Sequence, residues 1–246
     1  MHQLSTPATL SGAILEPMLR ADPVGPRITY YDDAAGERIE LSAATLANWA
    51  AKTGNLLRDE LGAGPGSRVA ILLPAHWQTA AVLFGVWWVG AEVVLESRAD
   101  LALCTAERLD EADALVDGGE VAVLSLDAFG RPAPDLPIGV TDYASAVRVH
   151  GDRIVPEPHP GPALAGRSVD DVLADCERSA AARGLTSGDR VYSSASWTGP
   201  DELVEHLLAI LAVGASLVQV ANPPGTEADP AARQRRIETE KVTRVL

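Results

Sequence analysis

One pattern of residues occurs twice in the chain, and it constrains the fold more than any other feature. A helical stretch leads into GPGSRVAILL (64–73), Trp77, a second helix, Val89-Gly90-Ala91 and a β-prone run. Later, a helical stretch leads into TSGDRVYSSA (186–195), Trp197, a helix, Val213-Gly214-Ala215 and a β-prone run. Arg68 and Arg190 lie 122 positions apart, Trp77 and Trp197 lie 120 apart, and Gly90 and Gly214 lie 124 apart. Matched features held so near one offset predict a repeated αβαβ unit. Gly-Ala at the end of each helix lets the chain turn beneath it and enter a buried strand without a clashing Cβ. The expected fold class is α/β: two similar αβαβ units, with helices packed on mixed, largely parallel sheets.

Local signals place the remaining elements. A helix is expected over 10–19, then a hairpin of strands 27–32 and 37–41 around Asp33-Ala34-Ala35-Gly36. Ser42 offers an N-cap to a helix whose apolar positions Leu46, Ala50, Leu57 and Leu61 recur at helical spacing before Gly62. Strands at 68–73, 92–95, 101–104 and 120–126 alternate with helices at 76–89 and 105–115, and 129–140 reads as a proline-bearing loop. The densest proline cluster, PEPHPGP (156–162), reads as a stiff, extended connection. The domains are therefore drawn as 1–152, a connection at 153–167, and 168–246. In the second, Ser168 and Asp171 form a capping box before a helix. Strand 190–194, helix 200–213, strand 217–220, helix 229–240 and strand 242–246 follow.

Charge and composition narrow the partners. With 34 acidic against 20 basic residues the net charge is −14, which repels nucleic-acid phosphates and anionic lipid. The longest apolar stretches, 80–91 and 207–215, fall short of the roughly 20 residues a bilayer span requires. The N-terminus has no basic start leading into an apolar signal core, so a cytoplasmic protein without membrane or nucleic-acid partners is expected. Cys104 and Cys176 stand far apart and outside any metal spacing, which suits reduced, packed thiols. His150, Asp152 and His159 are near in sequence, but the prolines around them read as a solvated linker and no metal site is assigned. His76 and His206 have no partner acid or nucleophile nearby in the sequence. Trp87-Trp88 suits core packing or an oligomer contact. No G-x-S-x-G, G-x-G-x-x-G or H-E-x-x-H string occurs.

The blocks Ile28-Thr29-Tyr30, 41–94 with RVAILLP at 68–74 and Gly90-Ala91, GLTSGDRV (184–191) and LAVGASLVQV (211–220) resemble the N-terminal domain of the adenylate-forming superfamily. That superfamily comprises acyl-CoA synthetases, nonribosomal-peptide adenylation domains and luciferases. The resemblance implies ATP-dependent adenylation of a carboxylate and transfer to a thiol such as coenzyme A. It also implies a Ser/Thr/Gly-rich phosphate loop ending Pro-Lys-Gly just before the helix at Ser168. Here that interval reads PEPHPGPALAGR (156–167) and contains no lysine. Its four prolines have no N–H to aim at a phosphate, and Ala163-Leu164-Ala165 replace hydroxyl donors. Gly166 and Arg167 alone remain as donors at this degenerate phosphate-loop position. The family's Tyr-Gly-x-Thr-Glu stretch, ribose-binding Asp, hinge and C-terminal domain with its catalytic lysine have no counterpart within the 246 residues. The two lysines, Lys52 and Lys241, match none of the family's lysines, so no catalytic residue is assigned.

Two functions are expected from this. The first is a non-catalytic binding or interaction protein without a cofactor, a degenerate relative of the family whose surfaces are covered by a homo-oligomer or a protein partner. The second is a residual enzyme or sensor that binds an acyl, ATP/AMP (with Mg) or CoA-like ligand. Its pocket would involve Ser193, Ser194, Ser196 and Trp197, where the family lines its acyl pocket and where parallel sheets bind ligands. Against the pocket stands a packing role, with Trp197 covering a helix–sheet junction as Trp77 does and the serines capping the next helix.

Overall fold

A computed structural model describes residues 9–223 and 230–246. Helix α1 (Leu10–Ala21) precedes the antiparallel pair β1 (Pro26–Asp32) and β2 (Glu37–Ser42). Ser42 then caps α2 (Ala43–Asp59) as expected, its Oγ accepting the Thr45 N–H at 3.1 Å. β3 (Arg68–Leu72), α3 (Trp77–Trp88), β4 (Glu92–Val94) and β5 (Leu101–Cys104) follow in alternation. After them come α4 (Leu109–Val116), β6 (Glu120–Val123), β7 (Thr141–Asp142) and α5 (Tyr143–Ala146). At two and four residues, β7 and α5 are too short to leave a periodic trace in the sequence.

The remaining chain forms α6 (Val169–Arg183), with the Ser168/Asp171 capping box in place, and β8 (Arg190–Ser193). The helix expected over 200–213 runs without a break through α7 (Pro200–Leu203), a π-helical turn (Val204–Leu208) and α8 (Ala209–Ala212). One wider turn inside a helix barely disturbs its apolar spacing, so the sequence does not announce it. β9 (Ser216–Ala221), α9 (Pro230–Thr239) and β10 (Arg244–Val245) complete the fold. Asp229, where the sequence reading starts the last helix, lies outside the described residues.

These strands form two five-stranded sheets, ordered β4-β3-β5-β6-β7 and β10-β8-β9-β1-β2. Every neighbour pair is parallel except β1 with β2. The first sheet lies wholly before residue 152. The second recruits the hairpin from that same stretch, with Ile28 to Asp32 running beside Leu217 to Ala221. The division drawn from sequence at residue 152 and the division into sheets thus differ by the hairpin, whose neighbour is set by long-range pairing.

The two repeated units share their register. Arg68 pairs with Glu92 and Arg190 with Ser216. The Ser67 carbonyl accepts the Glu92 N–H at 2.9 Å, and the Asp189 carbonyl accepts the Ser216 N–H at 3.0 Å. A third parallel strand flanks each unit, joined through Asp100 N–H to Arg68 O and Thr243 N–H to Arg190 O.

The main core lies around α3, every residue of which is buried. Its apolar run therefore reflects complete burial inside the protein, and no described helix is long and apolar enough to cross a membrane. α3 meets α2 through glycine, since a Cβ on Gly85 would lie 2.7 Å from Thr53 Cβ.

Candidate functional site

The proline-rich stretch is largely exposed, as its composition suggests, but it is docked and not a free linker. It lies along α3 and the free edge of β4. Glu157 N–H donates to Trp88 O at 3.0 Å, and Gly161 N–H to Gly90 O at 3.0 Å. The indole N–H of Trp87 donates to Ala163 O at 2.7 Å. Leu164 bridges Val93 in parallel, with Val93 N–H to Ala163 O at 2.9 Å and Ala165 N–H to Val93 O at 3.0 Å. Ala163 and Leu164 are buried. Proline is tolerated along such an edge because its missing N–H breaks no interior ladder. The preceding residues are pinned as well: Asn55 Nδ2 donates to Gly151 O and Arg153 O, and His150 Nε2 sits 2.9 Å from Glu60 Oε1. Among the described residues no group of three or more His, Cys, Asp or Glu could hold a metal ion.

Gly166 and Arg167, the two donors that the sequence resemblance singles out, are both engaged by this chain's own carboxylates. Gly166 N–H donates to Glu92 Oε1 at 2.6 Å. The Arg167 guanidinium meets Asp175 at 2.7 Å and Asp201 at 3.3 Å. Backbone N–H groups of Ala163 and Arg167 close a tight local turn, donating to Arg167 O and Leu164 O.

Ser193 to Trp197 follow the C-terminal end of β8. Ser193 is buried; its Oγ lies 3.0 Å from His206 Nδ1 and accepts the Ala195 N–H at 3.2 Å. His206 therefore has a hydroxyl partner that the sequence, with the two residues 13 positions apart, does not reveal. Burial lowers the His206 pKa, so the imidazole is neutral at neutral pH. The fully buried hydroxyl joins β8 to the π-helical turn. Ser194 and Ser196 are exposed, whereas Trp197 is buried as Trp77 is, and both indole N–H groups have no acceptor.

The helix start that follows is closed by its own acid. Glu202 Oε2 accepts from Ser196 Oγ, from Thr198 N–H and Oγ1, and from Gly199 N–H, at 2.8 to 3.3 Å. Those hydrogen bonds, the Thr198 hydroxyl first, hold the Glu202 carboxyl below its usual range. In the other unit His76 does the capping, its Nδ1 accepting the Gln78 N–H at 3.1 Å. Burial drives the His76 pKa down to about 3, against the opposing pull of Asp32. Cys104 and Cys176 are free and buried, and burial pushes both thiols up to about 12.

Two cavities lie elsewhere. One, of about 220 Å³, opens between α2, α3, residues 128–130 and the stretch from α5 to Arg148. The other, of about 350 Å³, lies between α1, Arg27 and the end of α8. No residue of the proline-rich stretch or of Ser193 to Trp197 lines either one. Trp49, Trp77, Phe129 and Tyr143 meet at the first cavity from four separate stretches, so sequence order gives no sign of their meeting.

A curated relative from Mycobacterium tuberculosis (strain ATCC 25618 / H37Rv), described as a TIGR03089 family protein, is 77% identical over 248 residues. That match takes in 99% of this chain and 100% of the relative. The chain belongs to the TIGR03089 family. No family model matches it. Among solved structures, a Brucella canis acyl-CoA synthetase superposes with a TM-score of 0.80 at 18% identity, over 96% of this chain and 46% of the synthetase. The anthranilate CoA ligase AuaEII, solved with anthranoyl-AMP, gives 0.72 at 17% identity, over 98% of this chain and 50% of the ligase. This TIGR03089 member spans about half the length of each enzyme. It has the α/β fold of the N-terminal part of acyl-CoA synthetases, which matches the resemblance seen in its sequence.

Proposed function

We propose that this TIGR03089 protein is a non-catalytic binding or interaction protein built on the acyl-CoA synthetase fold, and that it does not adenylate a carboxylate. The observation that carries this reading is the commitment of Gly166 N–H to Glu92 and of Arg167 to Asp175 and Asp201. A triphosphate clamp needs open N–H groups and uncompensated positive charge, and the proline-rich stretch supplies neither. Its partner in this reading is a protein or a second copy of the chain, and no cofactor is needed. The net charge of −14 argues against nucleic acid, and two buried, free thiols suit the cytoplasm. The shared register of the two units fits an internal duplication.

A second reading keeps a residual acyl, AMP or CoA-like ligand at Ser193 to Trp197. It is favoured by the exposed Ser194 hydroxyl beyond β8 and by the buried Trp197 N–H, which has no acceptor. Titration calorimetry with Mg-ATP, AMP, coenzyme A and a non-hydrolysable acyl-adenylate separates the two, alongside carboxylate-dependent pyrophosphate exchange. No heat from any of them and no exchange are expected. Saturable binding of the acyl-adenylate, lost in Trp197→Ala and Ser196→Ala, would establish the second reading. Pyrophosphate exchange would overturn the non-catalytic one.

A further inference from the structure

We propose that the 220 Å³ cavity beside α2 and α3 binds a single-ring aromatic anion, recognised by its aromatic walls and by Arg148 at its mouth. The proposal stands apart from the reading above, because the cavity shares no residue with the phosphate-loop position or with Ser193 to Trp197.

Size sets the first limit. A closed apolar cavity of about 150 Å³ accommodates benzene, so 220 Å³ takes one ring with a small substituent and little more.

The walls set the second. Trp49 and Trp77 meet edge to face with ring centroids 5.8 Å apart, the buried Tyr143 joins them in the lining, and Phe129, which also borders the cavity, is 81% exposed. Tyr143 contributes its ring and not a charge. Thr53 gives its proton to Trp49 O at 2.8 Å, so the Tyr143 hydroxyl, 2.7 Å away, donates to Thr53 Oγ1. Burial pushes the Tyr143 phenol up to about 12, which keeps it protonated.

Charge sets the third. Among the described residues that line the cavity, Arg148 is the one cationic side chain and none is a carboxylate. Arg148 is exposed, its Nη2 donates to the carbonyls of Phe129 and Gly130, and it forms no ion pair with any described acid. Its remaining N–H groups are available to an anion at the mouth. In a chain with 34 acidic residues, an arginine left without a carboxylate beside an aromatic cavity favours an anionic ring over a neutral or cationic one.

Benzoate is the probe, and benzyl alcohol is its uncharged counterpart. Two of the five tryptophans line the cavity, so the indole N–H resonances of the full chain report occupancy directly. Benzoate is expected to shift Trp49 and Trp77 saturably, leave Trp87, Trp88 and Trp197 in place, and show ring-proton Overhauser contacts to Trp49 and Trp77. Arg148→Gln should weaken benzoate about tenfold or more and leave benzyl alcohol within about twofold. Ala144→Leu, which fills the cavity, should abolish both responses at an unchanged melting midpoint. Absence of Overhauser contacts in the wild-type chain, or benzoate shifts that survive in a folded Ala144→Leu, would overturn the site. Equal binding of the two probes would overturn its charge recognition.

Discussion

The crossovers from β3 to β4 and from β8 to β9 have one frame and two different covers. After each helix the same pair of hydrogen bonds forms: Gly90 N–H to Trp87 O and Ala91 N–H to Val86 O, then Gly214 N–H to Leu211 O and Ala215 N–H to Ile210 O. Both glycines take positive φ, +75° and +83°. At Gly90 the carbonyl accepts the Gly161 N–H, and the proline-rich stretch lies directly on the turn. At Gly214 the carbonyl accepts Arg27 Nη1 at 2.7 Å, and the turn borders the 350 Å³ cavity. A local frame set by Gly-Ala thus leaves open what packs against it. In the first unit the chain's own backbone has taken a position that in the second unit stays partly open.

The two repeated arginines offer the largest contrast to test. Arg190, largely buried, bonds Glu240, which is more buried still, whereas Arg68 is 44% exposed and lies 3.9 Å from Glu92. Arg190→Ala should cost about 3 kcal/mol in urea unfolding, because it strips a partner from a buried carboxylate. Arg68→Ala should cost less than about 1 kcal/mol, as expected of an exposed pair. Equal losses would mean that the units are stabilised alike.

A pH series sharpens the same contrast. Burial alone would raise the Glu240 pKa, but hydrogen bonds from Arg38, Tyr31 and Arg190 outweigh it and bring it from 4.5 down to about 2. A carboxylate depressed on folding stabilises the protein above its unfolded pKa and loses that contribution as pH falls toward the folded value. The stability difference between wild type and Glu240→Gln should therefore shrink by about 2 kcal/mol on going from about pH 5 to about pH 2. A constant difference would remove Glu240 from the acid response.

The smallest expected effect distinguishes the two turns. A Cβ on Gly90 would lie 2.7 Å from Glu157 Cγ and 3.0 Å from Pro160 Cα, while one on Gly214 meets nothing nearer than 3.4 Å. Gly90→Ala should cost about 2 kcal/mol and Gly214→Ala about 1 kcal/mol, the latter from backbone strain alone. Limited proteolysis within 156–162 should accelerate only in the Gly90 variant. Equal costs and unchanged cleavage would mean that the stretch is not held by this turn.

Much of the fold was legible because its signals are short-range. Ser42 and Ser168 cap helices through bonds to residues three positions on, and Gly62, Gly90, Gly184 and Gly214 mark helix ends within one turn. The candidate site was legible only in its losses. Proline has no N–H, so the weakness of 156–162 as a phosphate cradle is written in residue type. The fate of Gly166 and Arg167 was not, since Glu92 and Asp201 come from 74 and 34 residues away. His206 looked solitary for the same reason, with its serine on the preceding strand.

Sequence reasoning reached the longer helices and strands, the twofold αβαβ pattern, the net charge of −14 and the absence of a lysine from 156–167. Tertiary structure alone decided that the 26–42 hairpin joins the sheet of the second unit, that the proline-rich stretch docks on β4, and that an aromatic cavity forms around Trp49 and Trp77. The reason is one of range. Caps, turns and periodicity act within a few residues, whereas strand neighbours and cavities follow from which distant surfaces bury apolar area together while keeping every backbone donor satisfied.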